Sequence, residues 1–552
     1  MADVAADPGN VRLGTGPGRW ILLATVLGSG LALLDATVVN VALPAIADDL
    51  GADITGLQWT VNAYTLTLAG FILLGGSLGD RYGRRRIFLV GVVWFAAASV
   101  LCAVAQDVGM LVVSRGLQGV GGALLTPGSL AIIQASFAAD DRARAVGAWS
   151  GLGGIAGAVG PFAGGWLVEA AGWRWVFVLN VPLAALIVLV AARHVPESAD
   201  PEAGGRFDVL GAVLAALALG GTTYALTEAP SGHARPAVVA AAGFLGAAAA
   251  AGFLAVERRR GRRPGGDAPR PMLPLEVFGS RQFSAVNAVT FLVYGGMGVM
   301  FFLLVLHLQV VGGFSPVAAG AALLPVTALM LLLSARAGAV AQKVGPRWPM
   351  AAGLLVAAAG MLLVGRIGAG ASYARDVLPA VTVFGLGLSA VVAPLTATVL
   401  ATARSRHAGV ASGVNNAVAR AAGLLAVAAI PPLTGLTGGA LRDPDAFADG
   451  FGVSMAVCAA LLAAGAVLTL LTVSDGALHV AEGLHCEPQA RSHCSVGAPQ
   501  LQPEPETVPD TGDGGHAEDG HARERRGGGH GGGHGGGPAD GHGDGGGAGK
   551  AG

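Results

Sequence analysis

The sequence predicts an all-α polytopic membrane protein, and three observations carry that reading. Hydrophobic residues fill 53% of the 552 positions and charged residues only 12%, about half the charged share usual in soluble domains, and the mean hydropathy is +0.61. The apolar residues arrive in continuous runs of about 18 to 25, the length a helix needs to cross a bilayer. Lys and Arg are distributed unevenly about those runs. Of 34, five (Arg174, Arg235, Arg366, Arg375 and Arg442) fall on one side and two (Arg115 and Arg420) inside runs, which leaves 27 on the other side. The positive-inside rule places that richer side in the cytoplasm, and both termini with it, so the number of crossings must be even. A membrane barrel is excluded because the runs lack polar–apolar alternation. In lipid, a lone segment satisfies its backbone amides only as a helix.

Fourteen crossings are expected. The first, Trp20–Val41, follows about nineteen mostly polar residues that do not read as a cleavable signal segment. It carries one carboxylate, Asp35, in "LALLDATVVNVALP". Shielding from water disfavours a charged carboxylate. Asp35 is therefore expected to hold a proton in one conformation and to release it when water or a cation arrives. The alternative is a fixed ion pair, or a structural hydrogen bond to Thr37 or Asn40. About fifteen residues into its span, or about 22 Å along the axis, Asp35 is placed in the outer half. The second span, Trp59–Leu78, offers Asn62 as a polar contact for cargo.

The second span joins the third, Ile87–Ala105, through "GSLGDRYGRRRIFL". Small residues here let helices approach closely. Asp80 is placed to accept backbone N–H groups at a neighbouring helix N-terminus and to pair with Arg84. The stretch reads as a conformational latch. Anchoring by positive charge alone accounts for the arginines but not for the glycines or Asp80. The stretch resembles the loop motif of the major facilitator superfamily, G-x-L-x-D-R-x-G-R, supplied here by Gly76, Leu78, Asp80, Arg81, Gly83 and Arg84, with Arg85 following. That resemblance implies two six-helix bundles that rock about a central site, with two additional central helices making up fourteen.

In the fourth span, Met110–Ile133, Arg115, Gln118 and Gly119 share one helix face, and Gln118 is offered as a further polar contact in the cargo cavity. An arginine facing lipid costs about 2.5 to 3.5 kcal/mol on insertion scales, so Arg115 is expected to face the bundle interior or a wet cavity. "RGLQG" resembles the superfamily's R-x-x-Q-G motif, which implies a part in proton movement; a purely structural partner for carbonyls or a carboxylate is the alternative. The fifth span, Ala145–Val168, contains "GLGGIAGAVGPFAGGWL". Pro161 removes a backbone donor and bends the helix, while Gly160, Gly164 and Gly165 open a face for tight packing. This resembles the G-P-x-x-G-G motif of the superfamily's antiporters, with Ala156 where glycine is usual. Glycine-rich packing without an exporter role is the plainer reading.

The sixth span is Trp175–Ala192, and Val209–Leu226 and Ala237–Val256 are two additional crossings; with "LDATVVNVALP" and "GWRWVFVLNVPL" the chain resembles the superfamily's fourteen-helix drug:proton antiporter branch. The basic, Pro-rich loop 257–283 reads as a cytoplasmic linker held near anionic lipid. The ninth span, Ser284–Val310, carries Phe291, Met297, Met300, Phe301 and Phe302, either a soft apolar cargo surface or contacts with lipid and neighbouring helices. Gln309 adds a polar contact. Val317–Ala335, Met350–Gly365 and Val377–Leu400 follow. In the thirteenth span, Gly409–Ile430, Arg420 is offered as a member of the cargo cavity; it is either a distant counter-ion of Asp35 or a snorkelling side chain. Phe451–Val473 completes the set.

The expected organisation is a cytoplasmic N-terminus (1–19), an N-terminal bundle (20–192), two central helices (193–256), the basic loop (257–283), a C-terminal bundle (284–473) and a disordered Gly/His-rich cytoplasmic tail (474–552). The tail's His516, His521, His530, His534 and His542 form a compositionally biased tract rather than a defined metal site. "HCEPQARSHC", with Cys486 and Cys494, matches no common zinc spacing. No metal, cofactor or nucleic-acid partner is expected, and no nucleophile–base constellation points to an enzyme. No phosphate-binding G-x-x-x-x-G-K-[ST] loop is present, so ATP is not the energy source. The resemblance implies a secondary exporter of small lipophilic or amphipathic drugs or antibiotics, driven by protons and resident in the plasma membrane. An uptake or siderophore carrier of the same fold is the alternative.

Overall fold

Polar caps set the helix ends, and they lie beyond the apolar runs. In the computed structural model, which describes residues 11–200, 208–232, 234–261, 273, 275–402 and 408–475, the Thr15 side chain accepts from Gly18 N and Gly51 closes the first helix at φ +66°. Asp53 and Asp107 accept from Gly56 N and Met110 N, each at 2.9 Å, to start the second and fourth helices. Ser280 and Asp443 cap the ninth and fourteenth spans in the same way. Each cap satisfies a backbone donor that has no partner within the helix.

Fourteen described helices are long and apolar enough to cross a bilayer. In order they are Gly16–Leu50, Ile54–Tyr82, Arg84–Ala103, Val108–Ser136, Ala139–Ala171, Arg174–His194, Val209–Glu228, Pro236–Gly261, Arg281–Val310, Pro316–Val344, Arg347–Val364, Tyr373–Ala401, Ala411–Leu433 and Pro444–Thr472, hereafter spans one to fourteen. The protein is thus a multi-pass helical membrane protein. Span one runs through Pro44 to Leu50, further than the end expected at Val41. Membrane helices tolerate an internal proline because neighbouring groups re-satisfy the freed carbonyl. Counted from Gly16, Asp35 is the twentieth of 35 residues, so it sits near mid-helix, just past the midpoint. All described residues belong to one compact unit, Met1–His485; a second, Cys486–Gly552, lies outside the described residues, and with it Cys486, Cys494 and the histidine tract. Arg262, Arg263, Arg270, Arg404 and Arg406 lie outside them too.

Spans one to six pack mainly on one another, spans nine to fourteen do the same, and spans seven and eight form a pair set against spans two and thirteen. Gly221 and Gly246 make that pair's close approach: a Cβ on Gly221 would lie 2.8 Å from Gly246 Cα. The face of the molecule that carries the Arg84–Arg86 turn is here the basic face. On the opposite face, one continuous apolar cluster joins the two halves, running from Val41, Ile46 and Leu57 to Leu303 and Leu306 of span nine. Polar contacts reinforce it: Gln58 Nε2 donates to Val427 O at 2.6 Å and Gln309 Nε2 to Val41 O at 3.1 Å. Span five meets span ten there so closely that a Cβ on Gly165 would strike Pro316 O, and one on Gly320 would strike Pro161 O. Nearer the basic face, Gly147, Gly151, Gly153 and Gly154 of span five have open space where a Cβ would stand.

Candidate functional site

Asp35 is the hub of a buried network assembled from five helices. Its Oδ2 accepts from Arg115 Nη1 at 2.5 Å, and its Oδ1 accepts from Gln118 Nε2 and Asn180 Nδ2, each at 2.8 Å. Gln118 and Asn180 also donate to Ser99 Oγ in span three, at 2.8 and 3.2 Å. Arg115 donates from Nε to Thr60 O in span two at 3.1 Å and lies over the Tyr64 ring, 4.4 Å from its centroid. The two charged side chains are 0% and 1% exposed. A buried pair holds only when its remaining hydrogen-bonding capacity is met, and here the side-chain amides of Gln118 and Asn180 meet that of the carboxylate. Sequence reasoning placed Asp35 and Arg115 inside the bundle but did not pair them. It offered Thr37, Asn40 or Arg420 as partners, and missed Asn180 and Ser99. Asn180 stood in "VFVLNVPL", an amide inside an apolar run, which is the signal that would have found it.

Gln118 was expected in the cargo cavity; the structure places it in this network instead, because the i, i+3 spacing with Arg115 turns it toward span one. Gln309 is likewise outside the cavity lining, at the seal on the opposite face.

The basic-face latch forms with one change of roles. Asp80 pairs with Arg84, Oδ1 accepting from Nε at 2.8 Å. The backbone N–H groups at the start of span three are held by a different carboxylate, Glu197, which accepts from Arg85 N at 3.1 Å and Arg86 N at 3.2 Å. An acidic group at a helix N-terminus is stabilised by unpaired amides and by the helix dipole. Gly83 turns between spans two and three at φ +107°, and a Cβ there would meet the Glu197 carboxylate at 2.6 Å. Asp80 O also accepts from Asp200 N at 2.8 Å, and Arg84 N donates to Ser198 O at 2.8 Å, so the segment after span six packs over the turn between spans two and three that carries Arg81. Glu197→Gln is expected to destabilise the folded protein by about 0.5 to 2 kcal/mol, the usual worth of a cap, read as a lower unfolding temperature of the purified protein in detergent. An unchanged unfolding temperature would mean that the N–H groups are served equally well by solvent.

Between the halves lies a cavity of about 650 Å³, within the size range of small-molecule sites. Asn40 and Thr37 of span one, Asn62 of span two, Pro161 of span five, Met297 and Phe301 of span nine, and Arg420 of span thirteen line it. Tyr294, Thr327 and Met330 join them and were not singled out from the sequence. Phe291, expected in the wall, is 41% exposed and outside the lining, since it sits a turn nearer the basic face than Tyr294. Gly160 and Gly164 press span five against Thr37 and Val38 of span one; a Cβ on Gly164 would fall 2.6 Å from Val38 Cγ1. Span one therefore has two working faces: Asp35 turns into the ion-pair network while Ala36, Thr37 and Asn40 border the cavity. Among the described residues no group of three or more His, Cys, Asp or Glu could hold a metal ion.

Residues 25–428 match the Major Facilitator Superfamily. The chain is 36% identical over 480 residues to the puromycin resistance protein of Streptomyces alboniger, covering 84% of this chain and 93% of that one. It is 36% identical over 435 residues to the tetracenomycin C resistance and export protein of Streptomyces glaucescens, covering 78% and 77%. It is 37% identical over 410 residues to the probable actinorhodin transporter of Streptomyces coelicolor, covering 72% and 70%. Among solved structures, the peptide transporter PepTSo superposes with a TM-score of 0.59 at 16% identity, covering 85% of this chain and 99% of that one. A bacterial homologue of the human lysosomal transporter Spinster gives 0.57 at 17%, covering 86% and 100%. Helical architecture, latch, cavity and sequence similarity converge: the chain belongs to the Major Facilitator Superfamily.

Proposed function

We propose that the protein is a proton-driven secondary exporter of small amphipathic drugs or antibiotics, working by alternating access in the plasma membrane with both termini cytoplasmic. The observation that carries the reading is the two-faced span one, which puts a fully buried, titratable ion pair directly behind the wall of an apolar cavity. The relatives named for puromycin and tetracenomycin C resistance support export as the direction. The distribution of Lys and Arg assigns the basic face to the cytoplasm. On that assignment the cavity is sealed from outside by Gln58, Gln309 and the contact of spans five and ten, and the glycine flank of span five leaves room on the inner side for cargo to enter.

Asp35 and the cavity share a helix but not a surface, so cargo and proton do not compete for one spot. Protonating Asp35 removes the charge that holds Arg115 and Gln118. Span one is then free to shift against spans three, four and six, and Thr37 and Asn40 move with it. A ligand biases such an equilibrium only through a difference in affinity between the two states, and repacking of this wall supplies that difference.

The test is expression in a drug-hypersensitive bacterium against a panel of antibiotics and dyes. Wild type is expected to raise resistance to at least one lipophilic compound, with extrusion that stops when a protonophore collapses the pH gradient. Extrusion indifferent to the protonophore would remove the proton from the mechanism. Net uptake in oriented vesicles would reverse the direction.

A further inference from the structure

The cavity's electrostatics are one-sided. Among the described residues no acidic side chain lines it, and the one charged side chain in its wall is Arg420. Arg420 is half-buried; its guanidinium donates from Nε to Asn416 Oδ1 at 3.1 Å, and no described carboxylate is within ion-pair distance of it. The carboxylate that sequence reasoning offered as its partner, Asp35, is already paired with Arg115 and accepts from two further donors, Gln118 and Asn180. Nearby, Asn62 is 1% exposed and its Nδ2 has no hydrogen-bond partner, which leaves a second donor in the same wall.

We infer that the cargo is an amphipathic organic anion, an apolar ring system bearing a carboxylate or ionised phenol, and that Arg420 is the residue that selects it. The inference rests on the reading of the cavity as an export site. The physical reason is desolvation. While the cavity is wet, water solvates the guanidinium. An apolar molecule that fills the space strips that water away, and a buried cation without a partner is strongly disfavoured. A neutral cargo meets that penalty in full and a cationic cargo adds repulsion to it. An anion replaces the lost water with a charge-assisted hydrogen bond, bidentate where the acceptor is a carboxylate. Met297, Phe301 and Tyr294 supply the apolar contact for the rest of the molecule.

Fluorescein and rhodamine 6G share a xanthene ring system and carry opposite charge, so they isolate the electrostatic contribution. Binding of each to the purified full-length chain in nanodiscs is measured by fluorescence anisotropy, for wild type, Arg420→Gln and Arg420→Lys. Wild type is expected to bind fluorescein at least about tenfold more tightly than rhodamine 6G, equivalent to about 1.4 kcal/mol. Arg420→Gln is expected to lose that preference while Arg420→Lys keeps most of it, with all three proteins eluting as a single species of equal thermal stability. Equal or tighter binding of rhodamine 6G by wild type, or an undiminished fluorescein affinity in Arg420→Gln, overturns the charge inference and leaves the export reading standing. Failure of wild type to bind either dye overturns both.

Discussion

Asp35→Asn is expected to bring drug extrusion down to the level of cells lacking the protein, at equal abundance in the membrane. The substitution removes the only carboxylate among the described residues of the network while keeping the side chain's size and two of its hydrogen-bonding capacities. Arg115 is then buried without a counter-charge, and breaking one side of a buried pair typically costs about 3 to 5 kcal/mol. Loss of folding would imitate loss of coupling, so the single variant is compared with Asp35→Asn/Arg115→Gln. In the double variant both charges are gone and amides occupy both positions, so the unfolding temperature is expected to recover toward wild type. Extrusion is expected to remain absent, because the carboxylate proposed to carry the coupling proton is gone. Recovery of pH-gradient-driven extrusion in the double variant would place the coupling proton elsewhere, and Asp35 would become a structural residue.

Gly320→Val is expected to open the cavity toward the face opposite the arginine-rich one. A Cβ at that position would strike Pro161 O in the neighbouring half, and the same contact is made reciprocally where Gly165 faces Pro316. Overpacking of this kind costs about 1 to 3 kcal/mol, and only in the state closed on that face. Placed on one side of a two-state equilibrium, that energy changes the ratio of the states about 5- to 150-fold. Thr327 lines the cavity, so Thr327→Cys, made in a chain with its four native cysteines replaced, reports access. Labelling by a membrane-impermeant maleimide applied from the outer side is expected to accelerate in Gly320→Val, and transport to slow because the carrier rests in the wrong state. Labelling at the wild-type rate would show that spans five and ten are not the gate.

The two expectations draw on different parts of the molecule and so separate coupling from gating. Neutralising Asp35 acts through a network confined to spans one, two, three, four and six. Widening Gly320 acts only at the contact between halves. A carrier whose proton site and gate are independent would show additive effects, whereas alternating access ties them together through span one, which Gly160 and Gly164 clamp against span five.

Hydropathy and the distribution of Lys and Arg were enough to number the crossings, because a helix in lipid must be long, apolar and internally hydrogen-bonded whatever its neighbours are. The same rule made Asp35 and Arg115 conspicuous: a charge inside such a run has to face the protein interior. The loop motif likewise offered Arg84 as the partner of Asp80, as found in the turn between spans two and three. These are statements about one helix or one turn, and a sequence carries them directly.

Which helix each polar side chain meets is not a local matter. Asp35 and Arg115 are 80 residues apart and Asp35 and Asn180 are 145 apart; nothing in either neighbourhood names the other, so the pairing exists only once five helices are packed. Glu197 took the amide-binding part expected of Asp80 because the segment after span six folds back over the start of span three, a consequence of the bundle and not of the motif. Gln118 left the cavity and Arg420 stayed in it for the same reason, since the rotation of a helix is decided by the surfaces packed against it. The sequence by itself determined a fourteen-helix carrier with a buried carboxylate. Tertiary packing alone decided that this carboxylate is balanced within one half and that an uncompensated arginine faces the space between the halves, because long-range contacts are chosen by the shape and charge of whole surfaces.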